Sequence, residues 1–485
     1  MTNKVFEDPS GVRIMWLAAA AIFMALVSLV YALVVNYGLS NCIEKAYAAI
    51  TIIYYYVSAF GLFYGALYLV LALVSQRRQK RKVFWGSAPA VSVIIPAYNE
   101  SRVIVKTVQA LIESEYPGFL EIIVIDDGST DDTASVVDAH FHSRQNFKLI
   151  RQENRGKAAA LNAGIIAAEG QVIVAIDADT LLRADAVAML ARHFSEADIG
   201  AVSGNMMVGN PINMLTRAQR LEYLFANNLD RRALELLNGI TVVPGAIGAF
   251  RKDDLVRLNG FSSETLAEDS DLTIRLLIAG KRVVYEPYAI ALTEVPETLT
   301  DLKKQRFRWS FGKFQALWKY RSVMFNPNYG VLGLFCLPTQ LIGQLVLPCI
   351  SWISTLLPVY LLICWAYLSF SAGEIVALSA HQCTILWIFL AVTVLAEASK
   401  IAAIALEKRA SFRILLDFVA PMQIAFRIMM IYLTVVSIFS ALSGRVVGWN
   451  KLQRKASVSE LLAMSEIYAS PEYVISKKSM EALQE

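Results

Sequence analysis

Long apolar runs stand near both ends of this chain, and a β–α alternation fills its middle. Residues 14–35 and 53–74 carry no charged side chain. Each matches the roughly 20 apolar helical residues that cross a bilayer core. Residues 14–35 are too long for a signal peptide, and no clear small-residue cleavage site follows. After residue 330, the stretches 349–370, 384–406 and 419–442 are again long enough to span. Residues 331–348 are interrupted by Pro338 and carry Gln340 and Gln344, so they read as an interfacial or re-entrant helix.

Between these regions the hydrophobic period changes. Short β-branched runs at 91–95, 121–125, 147–150, 171–176 and 201–208 predict strands, and amphipathic segments at 103–112, 133–142, 157–168 and 184–194 predict helices. Such alternation predicts an α/β domain with a mostly parallel sheet and helices on both faces. The resulting division is 1–84 for two spans and a basic linker, 85–297 for a catalytic domain and 298–348 for interfacial amphipathic helices. Residues 349–455 follow as C-terminal spans and 456–485 as a polar tail.

Composition agrees with this partition. Of 485 residues, 56% are hydrophobic and 18% charged, with a mean hydropathy of +0.47. An ordinary soluble domain is less apolar and more charged, so a plain cytosolic protein is excluded, as is a disordered chain. Charge then orients the membrane part. Arg77, Arg78, Lys80, Arg81 and Lys82 abut the second span, which places the central domain in the cytoplasm. Anionic lipid, not nucleic acid, is the partner expected of that run. Glu407, Lys408, Arg409 and Arg413 fall on the same side, and 371–382, without Lys or Arg, falls outside. The parity puts the basic tail (Arg445, Lys451, Arg454, Lys455) outside, against the same rule. Either 414–442, broken at Pro421, is a short hairpin, or the span count differs by one. The five cysteines (Cys42, Cys336, Cys349, Cys364, Cys383) lie in or beside membrane segments and form no CxxC pair, which argues against zinc or a disulfide framework.

Ligands of open α/β sheets sit beyond the carboxyl ends of strands. The first strand ends in Pro96-Ala97-Tyr98-Asn99-Glu100, without the GxGxxG of a dinucleotide site. The second ends in Asp126-Asp127-Gly128-Ser129-Thr130-Asp131-Asp132. Its later members suit a helix N-terminus, which leaves Asp126 and Asp127 to be explained. Asn154–Gly164 is a basic turn entering a helix, with Lys157 placed to clamp an anion. The fourth strand ends in Asp177-Ala178-Asp179, a pair able to share a hard cation, Mg²⁺ or Mn²⁺, bridging a diphosphate. Glu268 and Asp269 open a helix over 272–279. Gln305-Arg306-Phe307-Arg308-Trp309 lies on an amphipathic stretch, 299–320, suited either to the membrane interface or to anion and sugar binding.

In this order, these six motifs resemble the inverting family-2 glycosyltransferases, which include cellulose, hyaluronan and poly-N-acetylglucosamine synthases. The resemblance covers 91–320. Gln-x-x-Arg-Trp between membrane helices resembles the processive, chain-extending branch. The resemblance implies a cytoplasmic glycosyltransferase-A-type Rossmann-like domain between transmembrane helices of a bacterial inner membrane. It implies that Pro96, Tyr98, Glu100, Asp126 and Asp127 take the nucleoside of a UDP-sugar, with Lys157 beside it. Asp177 and Asp179 would bind diphosphate and metal, Asp269 would be the general base with Glu268 beside it, and Gln305, Arg308 and Trp309 would line diphosphate and acceptor. Ala267 departs from the Thr frequent before Glu-Asp. Partners implied are the UDP-sugar, a growing polysaccharide, the bilayer, and accessory membrane or periplasmic subunits.

One base and no second nucleophilic carboxylate fit single displacement with inversion, giving a β-linked polymer. Polar residues in the membrane region mark an export path, the candidates being Gln340, Gln344, Arg427, Glu397 and Lys400. For the last two, snorkelling to the interface is an equal alternative. The overall spacing and the pattern around Gly204, Asn205 and Gly245 most resemble the poly-N-acetylglucosamine synthases of that family, a resemblance that implies UDP-N-acetylglucosamine. Cellulose- and hyaluronan-type synthesis stay open, although no cyclic-dinucleotide domain fits after residue 456. A single-transfer enzyme acting on a lipid acceptor, or a transporter with a vestigial nucleotide site, are the competing readings.

Overall fold

The structure, a computed structural model, describes residues 42–79, 88–343, 347–407 and 420–443. The span expected at 14–35, Lys80-Arg81-Lys82, Gln344, 408–419 and the tail beyond residue 443 lie outside the described residues, as does the side chain of Arg427.

The first described helix, α1 (Cys42–Gln79), extends the expected 53–74 in both directions. No Gly or Pro stops it between residues 42 and 53. Its stretch Ala46–Gln76, together with Ile353–Ala372 and Ala380–Leu406, is long and apolar enough to cross a membrane. Residues Ala420–Leu442 are also helical, with Ile428–Ser440 as their apolar part. Around Pro338 the chain forms only short π and α turns, Leu332–Cys336 and Leu337–Leu341.

The central domain is one eight-stranded sheet. Its strands are β1 (Val91–Ala97), β2 (Leu120–Asp127), β3 (Phe147–Gln152), β4 (Val172–Ala175), β5 (Thr180–Leu182), β6 (Ile199–Val208), β7 (Gly248–Arg251) and β8 (Arg282–Thr293). The spatial order is β3-β2-β1-β4-β7-β6-β8-β5. The β3-β2-β1-β4 half is parallel, as expected. The other half is mixed: β7 runs antiparallel to β4 and β6, β5 antiparallel to β8, and β6 parallel to β8. A mostly parallel sheet is therefore corrected to a mixed one. Sequence reading misses β8 because Pro287 interrupts its run, and Pro lacks the N–H that a ladder needs. The pairing register shifts there: Gly204 faces Glu286 and Asn205 faces Ile290, so residues 287–289 bulge out.

Alternation along β1 assigns the faces. Val91, Val93 and Ile95 pack with α2 (Ile104–Ile112), α3 (Thr133–Phe141) and α5 (Ala186–Ala191). Ile94 packs on the other face with α4 (Lys157–Ala167) and, further along, with residues of α9 (Glu268–Ile278) and α10 (Leu299–Lys319). Gly164 permits this contact, since a Cβ there would stand 2.4 Å from Ile94 Cγ2. Between β6 and β7 the chain forms α6 (Met214–Leu224), a π-helical turn (Phe225–Asp230) and α7 (Arg231–Leu236), and α8 (Lys252–Arg257) follows β7.

The helix α10 is more than a connector. Its Leu302, Gln305, Phe311, Gln315, Ala316 and Leu317 are buried. Gln315 Oε1 accepts from Leu266 N at 2.8 Å, and Lys319 Nζ lies 2.6 Å from Asp271 Oδ1. One side of α10 thus faces the sheet domain, while Ala420–Leu442 packs against it as well.

Candidate active site

The loops leaving β1 and β2 are stitched together. Asn99 takes a left-handed φ of 56°, its N–H donates to Ser129 Oγ at 2.8 Å, and its Oδ1 accepts from Thr130 N at 2.7 Å. Glu100 N donates to Thr133 Oγ1 at 2.7 Å. Asp127 accepts from Gln152 Nε2 (2.6 Å), Arg155 N (3.0 Å) and Gly156 N (2.8 Å), which shapes the turn that delivers Lys157 to the start of α4. A cavity of about 340 Å³ results, bounded by Pro96, Tyr98, Glu100, Asp127, Lys157, Asp177, Asp179 and Arg308 among others. Asp126 is not in that lining. It is buried, and its Oδ1 accepts from Ser129 N at 3.2 Å.

A second cavity, of about 510 Å³, opens between the domain and the apolar helices. Glu268, Asp269, Gln305, Arg308 and Trp309 line it, as do Gln340, Met430 and Thr434 from the apolar helices. The two cavities share Lys157, Asp177 and Arg308. The structure therefore brings every candidate site residue except Asp126 to one of two adjoining spaces. Of the export-path candidates, Gln340 is at the wall, whereas Glu397 and Lys400 pair with each other at 2.6 Å on Ala380–Leu406 and lie outside both linings.

Lys157 is the junction. Its Nζ lies 2.7 Å from Asp177 Oδ1 and 3.2 Å from Glu268 Oε1. Burial alone would lower the ammonium, but the flanking Asp177 and Glu268 carboxylates outweigh it and hold Lys157 above the ordinary lysine value. Gly245 leaves the room, since a Cβ there would stand 2.5 Å from Lys157 Nζ. Asp269, at the start of α9, accepts from Ser270 N at 2.7 Å. Burial, then the neighbouring Glu268 charge, pushes its carboxyl up to about 6, toward the range useful to a general base at neutral pH.

Along α10, residues 305, 309 and 313 recur at helical spacing and face the cavity together. Gln305 is 6% exposed, and its amide oxygen has no hydrogen-bond donor among the described residues. The Trp309 ring is flanked by the Arg306 guanidinium at 4.3 Å and by Tyr223 at 6.3 Å. Arg306 in turn is paired with Glu222 at 2.5 Å. Sequence reading missed Glu222, Tyr223, Asp230, Arg231, Arg306 and Lys313 as cavity residues. For Arg306 and Lys313 the helical spacing from Trp309 was a usable signal. For the others, on segments with no motif, there was none.

Asp177 and Asp179 could offer two carboxylates to a divalent ion. Among the described residues no three His, Cys, Asp or Glu side chains cluster as a metal site. Two carboxylates with the remaining positions left to phosphate oxygens and water is how Mg²⁺-type ions bind at phosphate sites. The oxygen chemistry of the pair therefore fits Mg²⁺ or Mn²⁺, in the company of a diphosphate.

Parallel strands here feed an acidic cleft bridged by Lys157. Residues 89–312 match the family described as glycosyltransferase like family 2. The poly-beta-1,6-N-acetyl-D-glucosamine synthase of Staphylococcus epidermidis is 33% identical over 282 residues, 58% of this chain and 64% of the relative. The synthase of the same name from Staphylococcus aureus (strain COL) is 33% identical over 231 residues, 47% and 55% respectively. The matched chain thus spans less than two thirds of these relatives. Among solved structures, the mannosyltransferase PcManGT from Pyrobaculum calidifontis, in complex with GDP-Man and Mn²⁺, superposes with a TM-score of 0.53 at 22% identity. That match covers 82% of this chain and all of the other, and the shared fold is glycosyltransferase-A-like.

Proposed function

We propose that this chain is a membrane synthase that polymerises UDP-N-acetylglucosamine into a β-linked polysaccharide and passes the product through its own helices. The observation that carries the reading is the meeting of two cavities at Lys157, Asp177 and Arg308, the second reaching Gln340, Met430 and Thr434. The first suits a nucleotide-sugar and the second an acceptor. The names of the staphylococcal relatives support the choice of sugar.

In this reading Tyr98 and Glu100 face the nucleoside, and Asp126, outside both linings, braces the Ser129 turn beneath it. Asp177 and Asp179 hold the divalent ion, which when bound neutralises charge on the diphosphate. Lys157 and Arg308, shared by both cavities, stabilise the negative charge that develops as the sugar–phosphate bond breaks. Asp269 accepts the proton of the attacking acceptor hydroxyl. With Asp269 as the single base, attack is direct and inverts the anomeric centre. Trp309 offers an apolar ring to the acceptor sugar. The central domain is cytoplasmic, the helices are a multi-pass inner-membrane anchor, and accessory subunits join from the membrane or periplasm.

The test is to offer the purified full chain UDP-N-acetylglucosamine, UDP-glucose and UDP-glucuronate separately, with Mg²⁺ or Mn²⁺. UDP release with a long polymer on a gel is expected from the first alone. A product one sugar long would indicate single transfer, and no release from any donor would sink the reading.

A further inference from the structure

Two opposite charges in the wide cavity have no part in the reaction outlined above. Asp230 closes the π-helical turn Phe225–Asp230, and Lys313 lies one turn beyond Trp309 on α10. Both line the cavity that holds Asp269. Among the described residues neither has a hydrogen bond or an ion pair.

Each side chain is half-buried on the cavity wall, without a partner in return among the described residues. Burial pushes the Asp230 carboxyl up to about 7, against the pull of Arg231 and Lys313. Burial, then the Arg306 charge, pushes the Lys313 ammonium below the ordinary lysine value. Unpaired polar groups in a shielded site cost free energy, and such groups cluster where ligands bind.

The framework holding them is fixed. Arg231, next to Asp230, donates to Ser203 Oγ at 2.6 Å and Gly204 O at 3.0 Å on β6. A π-turn inside a helix is rare and concentrates at functional positions.

We propose that Asp230 and Lys313 bind the acceptor saccharide as an acceptor–donor pair for the hydroxyl and amide groups of an uncharged sugar ring. This rests on the glycosyltransferase reading above and adds the chemical class of the acceptor. A uronate ring would meet Lys313 but also Asp230, Glu222 and Asp269. A free amino sugar would meet Asp230 but also Arg231, Arg306 and Lys313. A hydroxyl both donates and accepts, so it satisfies both sides.

The experiment measures equilibrium binding to the full chain in lipid nanodiscs. One probe is a short β-1,6-linked N-acetylglucosamine oligosaccharide, and the other is UDP. For Asp230→Ala and Lys313→Met the oligosaccharide Kd rises about tenfold relative to the UDP Kd, the scale of one hydrogen bond to a charged group. Asp230→Asn, which still hydrogen-bonds, loses less. Equal weakening of both probes, or of neither, overturns the proposal. So does a wild-type chain that binds UDP without the oligosaccharide, or that prefers a glucuronate-containing oligosaccharide. A wild-type chain that binds neither UDP nor UDP-N-acetylglucosamine brings down the glycosyltransferase reading itself, and the inference with it.

Discussion

The guanidinium carbon of Arg306 lies 4.3 Å from the centre of the Trp309 ring, and Glu222 holds that guanidinium in place at 2.5 Å. Arg306 is 5% exposed, so the stack is shielded from water. A cation over an indole contributes about 0.5–2 kcal/mol, more when desolvated. Removing the Glu222 charge frees the guanidinium and lets the indole turn. Glu222→Gln is expected to raise the acceptor KM about two- to thirtyfold, with the donor KM nearly unchanged. Steady-state kinetics with each substrate varied in turn checks this, and a parallel rise in both constants would count against it.

Asp269 gives a prediction with two signs. Its carboxyl is held up at about 6, first by burial and then by Glu268. As the base it must be ionised, so activity falls as pH drops through about 6, not through the ordinary aspartate range near 4. Asp269→Asn should lower transfer by about 100- to 10,000-fold. Stability moves the other way. The folded state binds this proton more tightly than the unfolded state, so the group's contribution falls as pH rises from about 4 to 6. Asp269→Asn should therefore raise Tm by a few degrees near pH 8 and by little below about pH 4. A pH–rate profile and thermal unfolding in detergent at the two pH values test both halves.

How far the chain could be read beforehand depended on what kind of signal each part carried. The parallel half of the sheet was legible because Val91, Val93 and Ile95 alternate with a second buried face, and because Asp127 ends β2, Lys157 opens the helix after β3, and Asp177 and Asp179 lie just past β4. The antiparallel half was legible only in β6, expected at 201–208 and found at Ile199–Val208. β5 and β7 are only three and four residues long, and Pro287 hides the continuity of β8. The acceptor wall was half legible. Gln305, Arg308 and Trp309 announce themselves by spacing on one helix. Glu222 and Asp230 reach the cavity only because β6 and α10 carry distant segments together, and no local pattern encodes that meeting. Asp126 shows the reverse case, a residue conspicuous in sequence whose side chain turns to its own loop.

The metal prediction follows from the small donor set. Asp177 and Asp179 are two carboxylates, and Lys157 already occupies Asp177 at 2.7 Å. A cation must compete with that ammonium, so Mn²⁺ alone should bind weakly. A bound diphosphate supplies further oxygens and a second anion for Lys157. Calorimetry of the full chain should show Mn²⁺ affinity rising at least tenfold when UDP is present, and UDP affinity rising by the same factor with Mn²⁺. Asp179→Asn should remove most of that coupling. Chelation should abolish transfer, with recovery on adding Mg²⁺ or Mn²⁺. Equal Mn²⁺ affinity with and without UDP would show that another ligand set holds the ion.

Glu407 ties the apolar helix Ala380–Leu406 to the same wall. It caps the C-terminal end of Ala380–Leu406, where the helix carbonyls repel an anion, and it is 6% exposed. Its Oε2 accepts from Asn205 Nδ2 at 3.0 Å, on β6 beside the 287–289 bulge of β8, and from Asn228 Nδ2 at 3.3 Å, in the π-helical turn that carries Asp230. Both amides need an acceptor oxygen there, which a neutral side-chain amide also offers. Glu407→Gln keeps that oxygen and removes a charge opposed by the helix end, so stability should change by less than about 1 kcal/mol. Glu407→Leu takes one of two acceptors from each buried amide, leaving Asn205 only Pro287 O and Asn228 only Ala403 O, and should lower Tm by the equivalent of about 1–3 kcal/mol. It should also loosen residues 225–230, seen as faster amide hydrogen exchange there. If Gln proves as damaging as Leu, the charge itself holds the helix to the domain.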